Sequence, residues 1–525
     1  MRSMATRACM CTAALLFNIV HAVRAGAAPF SLSNTLGSSM VLQRNVALTS
    51  LWGFASPGAV VSTKMTCDGC PAIADATTGA DGVWRASTPP LATTAQPFNV
   101  SFTTSGQPPL TLTDVLVGET LFCVGQSNMA LSIAMALNAT EEIAALPLYG
   151  ATIRFMYTAE DQQTSPLIDL PRPAIAWSRM GASAGGASWG GFSATCWYAG
   201  RSLWASLGSG AVPVGLVESS VGGTAIRQWS PIEALAACPQ PYNSPIPYGT
   251  TPYNHAQLFN GMVAPFGTGP TQFAAIVYDQ AESDSLPQTP VGYYGCQTSA
   301  MIAAWRSLFG NPLLPFVFTH LQPYTGGGDL EDLRSFQLVA LSQPATAYAT
   351  AIDLGDPASP YGNVHFQNKQ VIGDRLSTAI RALAGDAAAT AIYPPASFLS
   401  QVTYNSSSGV PLVDITFFRP GAPRGSPPLA LSFLPPPTCP PTANCTIFTV
   451  LGSDGGEYAA DAALDSTGFG LRISAPALPT GVYAVGSAYA WSQWPLATLY
   501  SAGGLPVLPW RQALTMAGPP GPPPA

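Results

Sequence analysis

Histidine is scarce in this 525-residue chain, with only His21, His255, His320 and His365 present. An imidazole is the natural general base near neutral pH, because its ordinary pKa lies in that range. The serine best suited to nucleophilic attack is Ser127, in Gly118-Glu119-Thr120-Leu121-Phe122-Cys123-Val124-Gly125-Gln126-Ser127-Asn128-Met129. The apolar run ends at Val124, Gly125 permits a tight turn, and the residues that follow can open a helix. Ser127 would then stand at the carboxyl end of a strand, where open α/β sheets bind ligands. Amides at the helix start would favour the negative charge that develops during attack on an ester. Taken alone, the same pattern also fits a serine that merely caps a helix.

A base must come from elsewhere in the chain. His365 ends the turn-rich stretch Asp353-Leu354-Gly355-Asp356-Pro357-Ala358-Ser359-Pro360-Tyr361-Gly362-Asn363-Val364-His365, just before a helical pattern. A loop after the last strand can carry an imidazole to the same sheet edge. His320 closes an apolar strand and reads as a buried, hydrogen-bonded ring, second choice as a base. His255 lies beside a helical stretch ending in Asn260-Gly261-Met262 and reads as structural.

The elements that must position these groups follow from periodicity. Residues 28–113 alternate short apolar runs with turn residues and form a β-rich N-terminal domain. Over 114–384 apolar strands (Leu121–Val124, Ile153–Tyr157, Val212–Val217, Ala274–Tyr278, Pro315–Leu321) alternate with helical stretches (Ala194–Leu207, Thr298–Phe309, Leu330–Leu341, Asn368–Leu383). That alternation predicts an α/β unit, a parallel sheet covered by helices. Residues 385–525 return to β and turn chemistry and end in a Gly/Pro tail.

Residues 1–27 read as a secretory signal, with Arg2 and Arg7 before an apolar stretch and Ala25-Gly26-Ala27 as a small-residue cleavage site. Its removal would leave eight cysteines, and sequons stand at Asn99, Asn138, Asn405 and Asn444, so the expected address is the secretory pathway, extracellular or lysosomal. Cys67 and Cys70 are expected to form a local disulfide and Cys439 and Cys445 to close a short loop, with Cys123 and Cys196 as free buried thiols. A formal charge of −7, with 20 Lys plus Arg, gives no basic footprint for nucleic acid, and no later stretch is apolar enough to span a membrane. No metal-ligand spacing follows the Cys67–Cys70 pair, and no cofactor is expected.

Several blocks together resemble the sialate O-acetylesterase family of the SGNH hydrolases. Gly125-Gln126-Ser127-Asn128-Met129 is similar to its nucleophile block, and Gly215-Leu216-Val217-Glu218-Ser219-Ser220-Val221-Gly222-Gly223-Thr224 with Trp229-Ser230 to its second glycine block. Leu258-Phe259-Asn260-Gly261-Met262 with Pro265 follows, then Asp353 through His365 with Lys369 as the histidine block. Met40-Val41-Leu42-Gln43, Trp52-Gly53, Tyr489-Ala490-Trp491 and Trp494-Pro495 extend the likeness over most of the chain.

The resemblance implies a three-layer SGNH-like fold and an esterase that removes O-acetyl groups from sialic acids or related sugars, with Ser127 as nucleophile and His365 as general base. It implies oxyanion donors at the Ser127 amide, a backbone amide of Gly222 or Gly223, and the Gln280 side chain. Arg227, beside Trp229, is a candidate for a sugar carboxylate, and Gln126 is the other substrate-binding candidate.

Two departures stand out. The family's Trp-Tyr-Gln-Gly-Glu-Ser-Asn becomes Tyr278-Asp279-Gln280-Ala281-Glu282-Ser283-Asp284, which restricts the backbone at Ala281 and adds an acid at Asp284 that is expected to oppose an oxyanion. Phe366 replaces a common Pro and Asn363 a common acid, which leaves the group that orients His365 open. Asp353, Asp356 and a backbone carbonyl are the options, with Asp356 preferred. The alternative reading is a sugar-binding protein on a catalytically weakened esterase scaffold.

Overall fold

The structure is a computed structural model that describes residues 29–46, 49–186, 188–238, 255–269, 271–286, 291–406, 409–418, 429–435 and 446–513. The expected signal segment and the Cys439/Cys445 pair lie outside the described residues.

Seven strands form the sheet beneath the candidate site: β1 (Leu110–Gly125), β2 (Ile153–Tyr157), β3 (Ile175–Arg179), β4 (Val214–Ser220), β5 (Ala275–Asp279), β6 (Phe316–His320) and β7 (Thr346–Thr350). Their order is β3-β2-β4-β1-β5-β6-β7. All neighbours run parallel except β3, which is antiparallel to β2. The four helices that matter for the site are α1 (Ser127–Ala130), α2 (Ala194–Ser206), α3 (Tyr294–Leu308) and α4 (Lys369–Leu383).

Alternation along β1 creates the layers. Leu121 and Cys123 join the core that contains Ala194, Trp197 and Leu203 of α2 and Ile372, Leu376 and Ile380 of α4. Phe122 and Val124 point the other way, into the core built with Met301, Ile302 and Trp305 of α3. A side-chain period of two is what a strand covered on both faces requires, and every residue from Leu121 to Gly125 is buried. The result is the expected three-layer α/β arrangement.

β1 is much longer than the Leu121–Val124 run that hydropathy outlines. Its first half pairs antiparallel with Thr94–Thr104 and parallel with Val41–Gln43, both in the N-terminal β region. The C-terminal β region packs around Val413, Ile415, Val450, Tyr489 and Trp510, and Trp494 of this region joins the α3-side core.

Cys67 and Cys70 are bonded, and so are Cys238 and Cys296. The expectation of free thiols at Cys123 and Cys196 is corrected: they form a disulfide. Cys123 faces α2 from the sheet, and Cys196 lies on the sheet-facing side of α2 with the Cα atoms 5.8 Å apart, within bonding range. Three disulfides among the described residues fit an oxidising compartment. No helix among the described residues is long and apolar enough to cross a membrane.

Candidate active site

β1 ends between two parallel neighbours, with Gly125 opposite Ser220 on β4 and Asp279 on β5. Glycine is required there because a Cβ would run into the Asp279 carbonyl oxygen. The Gln126 amide donates to that same carbonyl at 3.0 Å, which turns the chain into α1. Gln126, not Ser127, is the N-cap residue, and no side chain caps this helix. The Ser127 hydroxyl is instead 2.8 Å from Nε2 of His365, a contact that the helix-cap reading of this serine does not explain.

His365 reaches Ser127 from the loop after β7. Its Nδ1 lies 2.6 Å from the Tyr361 carbonyl oxygen. A carbonyl only accepts, so Nδ1 carries the proton and Nε2 presents a lone pair to the serine hydroxyl. Turn bonds hold the loop: the His365 amide donates to the Gly362 carbonyl at 2.9 Å, and the Ser359 hydroxyl to the His365 carbonyl at 2.6 Å. The Trp189 ring packs edgewise on the imidazole, with centroids 5.2 Å apart.

The preferred orienting acid is not at the imidazole. Asp356 accepts from the Gln367 amide at 3.3 Å, and Asp353 is held by Arg375 at 2.6 and 2.8 Å and by the Tyr500 hydroxyl at 2.9 Å. The turn around Gly362 folds the Tyr361 carbonyl back under His365, so the backbone takes the place of a carboxylate.

Gly222 and Gly223 line the cleft with Ser127, and a Cβ on Gly222 would lie 3.5 Å from that of Ser127. Gln280 does not join them. Its amide nitrogen faces three acceptors, Gln126 Oε1 at 3.1 Å, the Thr224 carbonyl at 2.9 Å and Asp284 Oδ2 at 2.6 Å, which outnumber its two hydrogens. The Gln280 side chain is a buried brace between β5 and the two loops. Gln126 lines the cleft, but its Oε1 is turned to Gln280 and to the Ser283 amide at 3.2 Å.

Asp284 also lies outside the cleft lining. It accepts from the Ile226 amide at 2.9 Å, and burial pushes it up to about 6 against the Gln280 hydrogen bond and nearby Arg227. Its charge is therefore spent on buried donors, not aimed at an ester on Ser127. Ala281 is fully buried at φ +147°, ψ −14°, where an L residue is strained.

The cleft measures about 1040 Å³ and is lined by Ser127, His365, Tyr157, Glu160, Trp189, Arg227, Glu282 and Tyr324 among others. Partial burial lowers the Arg227 pKa, with Asp284 opposing that shift, and the guanidinium borders the open space. His320 is buried on β6, bonded through Nδ1 to Thr350 Oγ1 at 3.1 Å, and burial pushes it down to about 3. His255 and His320 are both absent from the cleft lining.

Sequence reasoning left Glu218 without a role and did not single out Glu282 or Lys369 as individual groups. Glu218 lies fully buried on β4, accepting from the Ser193 amide at 2.6 Å and the Ser220 hydroxyl at 2.7 Å, and burial pushes it up to about 8. For Glu218, an acid inside the apolar strand Val214–Ser220 was the available signal; Glu282 and Lys369 lie just past β5 and at the start of α4, where hydropathy gives none.

Residues 119–381 match the family model described as carbohydrate esterase, sialic acid-specific acetylesterase. The chain belongs to this family. It is 30% identical over 398 residues to the sialate O-acetylesterase of Homo sapiens, covering 70% of this chain and 73% of that one. It is 29% identical over 425 residues to the sialate O-acetylesterase of Rattus norvegicus, with 70% and 76% covered. The crystal structure of a carbohydrate acetylesterase from Xanthomonas citri superposes with a TM-score of 0.75 at 26% identity, covering 92% of this chain and 99% of that one. The family assignment and the fold make this chain a carboxylic ester hydrolase of the carbohydrate-esterase kind.

Proposed function

We propose that this esterase removes O-acetyl groups from sialic acids or related acetylated sugars through an acetyl-serine intermediate. The 2.8 Å contact between Ser127 Oγ and His365 Nε2 carries the reading. In the first half-reaction His365 takes the Ser127 proton as Oγ attacks the acetyl carbonyl. The oxyanion is met by the Ser127 amide and by a backbone amide of Gly222 or Gly223. His365 then passes its proton to the departing sugar oxygen. In the second half-reaction it activates water, which releases acetate and restores the serine. The Tyr361 carbonyl keeps the imidazole in the required tautomer throughout, a role a carboxylate fills in other serine hydrolases. No step calls for a metal.

Arg227 is our candidate for the carboxylate of a sialic acid, and Trp189, Tyr157 and Tyr324 supply aromatic surface for sugar rings. We place the mature enzyme in the secretory pathway, extracellular or lysosomal. Acetate release from acetylated sialic acids and from acetylated neutral glycans, measured for the wild type and Ser127→Ala, tests the proposal. Equal release by the variant would end the catalytic reading, and release from neutral glycans alone would end the sialic acid assignment.

A further inference from the structure

The two reacting side chains come from segments 238 positions apart in sequence, so something must hold their separation. One side-chain amide lies beside both. Asn128 follows Ser127, and its Nδ2 donates at 2.9 Å to the carbonyl of Val364, the residue before His365. The same Nδ2 also donates to Glu282 Oε1. The Gln322 amide braces the same two acceptors, at 2.9 Å to Val364 and 3.2 Å to Glu282.

Which way the Asn128 amide faces is decided from below. Lys369 Nζ lies 2.7 Å from Asn128 Oδ1. An ammonium only donates and a carbonyl only accepts, so Oδ1 must face Lys369 and Nδ2 must face Val364. Asn128 and Lys369 are both fully buried. The ammonium sits 3.6 Å over the Phe366 ring and is attracted by the buried carboxylates of Asp279 and Glu282. Phe366, fully buried itself, directly follows His365, so the aromatic seat of the ammonium belongs to the histidine loop.

We propose that Lys369, acting through the Asn128 amide and seated on Phe366, is a positioning residue that sets the reach between the Ser127 hydroxyl and the His365 imidazole. Remove the ammonium and Oδ1 loses the donor that anchors the amide from below, leaving it held only on its Nδ2 side, by Val364 and Glu282. The tie between the serine turn and the histidine loop would then slacken. Lys369, Asn128 and Phe366 do not line the cleft, so substrate affinity is not their business. The proposal rests on the serine-esterase reading.

The test uses the full chain and the variants Lys369→Met, Asn128→Asp, Phe366→Leu and Ser127→Ala, assayed with p-nitrophenyl acetate and with an O-acetylated sialic acid alongside thermal unfolding. Asn128→Asp keeps an acceptor for Lys369 but removes the donor to Val364. Lys369→Met and Asn128→Asp are expected to lower kcat at least tenfold with KM within twofold, and to slow covalent labelling of Ser127 by an organophosphate in the same proportion. Phe366→Leu is expected to lower kcat about threefold. Folded variants that keep kcat within twofold overturn the proposal, as does a loss of kcat that only follows the unfolded fraction and vanishes on cooling. If Lys369→Met does not fold, Phe366→Leu and Asn128→Asp decide by the same criteria. Activity that survives Ser127→Ala would sink the esterase reading instead.

Discussion

Replacing Glu218 with Gln should stabilise this enzyme near neutral pH and leave it nearly unchanged in acid. The Glu218 carboxyl is fully buried with two neutral donors, and burial pushes it from 4.5 to about 8. The native state therefore holds this proton more tightly than the unfolded chain. Stability from this group is intact below about pH 4.5 and drains away as pH rises toward 8. At about 1.4 kcal/mol per pH unit, the whole interval corresponds to about 5 kcal/mol, and the span from pH 5 to 7.5 to about 3 kcal/mol. Glutamine mimics the neutral acid: its oxygen accepts from the Ser193 amide, and its NH₂ donates to the Ser220 hydroxyl, which rotates to accept. Asp284, also pushed up by burial, contributes equally to both proteins and cancels in the comparison. Denaturant unfolding of wild type and Glu218→Gln at pH 5 and pH 7.5 measures the difference. The advantage of the variant should grow by about 3 kcal/mol between the two. Parallel behaviour at both values would show that Glu218 ionises in place without penalty and would refute the argument.

Ala281→Gly should relieve about 1–3 kcal/mol of backbone strain, against about 0.4–1 kcal/mol of added chain entropy and about 0.8 kcal/mol for the buried methyl. The terms leave a net effect between a loss of about 1 and a gain of about 2 kcal/mol in unfolding experiments, and a loss clearly above about 1 kcal/mol would contradict the strain. Asp356→Asn should keep kcat within about threefold, because its carboxylate serves the Gln367 amide and not His365; a hundredfold loss would restore it as the orienting acid. Arg227→Lys removes the two-pronged fork, so KM for an acetylated sialic acid should rise about tenfold while KM for p-nitrophenyl acetate stays within twofold. Equal changes in both would deny Arg227 a part in carboxylate recognition.

The helices and parallel strands were legible because both faces of the sheet are covered. Apolar runs such as Ile153–Tyr157 and Ala275–Asp279 leave no other burial solution. β7, with the sequence Thr-Ala-Tyr-Ala-Thr, escaped notice because its small and polar residues satisfy an edge position without strong hydropathy. β3 escaped because a strand antiparallel at the other edge breaks the β-α alternation. At the site, Ser127 and His365 were readable from the turn chemistry around them. The Tyr361 carbonyl was not, since any residue can offer one and only the fold of the loop selects it. The resemblance implied Gln280 at the oxyanion, and no sequence reading reveals that its hydrogens are already spoken for by Gln126, Thr224 and Asp284. The Cys123–Cys196 bond was likewise hidden, since it needs the register of a helix on a strand.

One continuous strand serves two regions. Val115, Leu116 and Val117 are buried by partners on the N-terminal side, while eight residues further on the same backbone delivers Gly125 and then the nucleophile. Gln43 and Arg44 fasten the junction, through the Thr120 amide at 2.8 Å and the Glu119 carboxylate at 2.6 Å. Trimming the protein back to residue 114 would therefore strip apolar backbone of its cover directly upstream of the serine. The hydrolytic half is not a portable module, and a loosening of the N-terminal β region would be felt as slackness at the reacting hydroxyl.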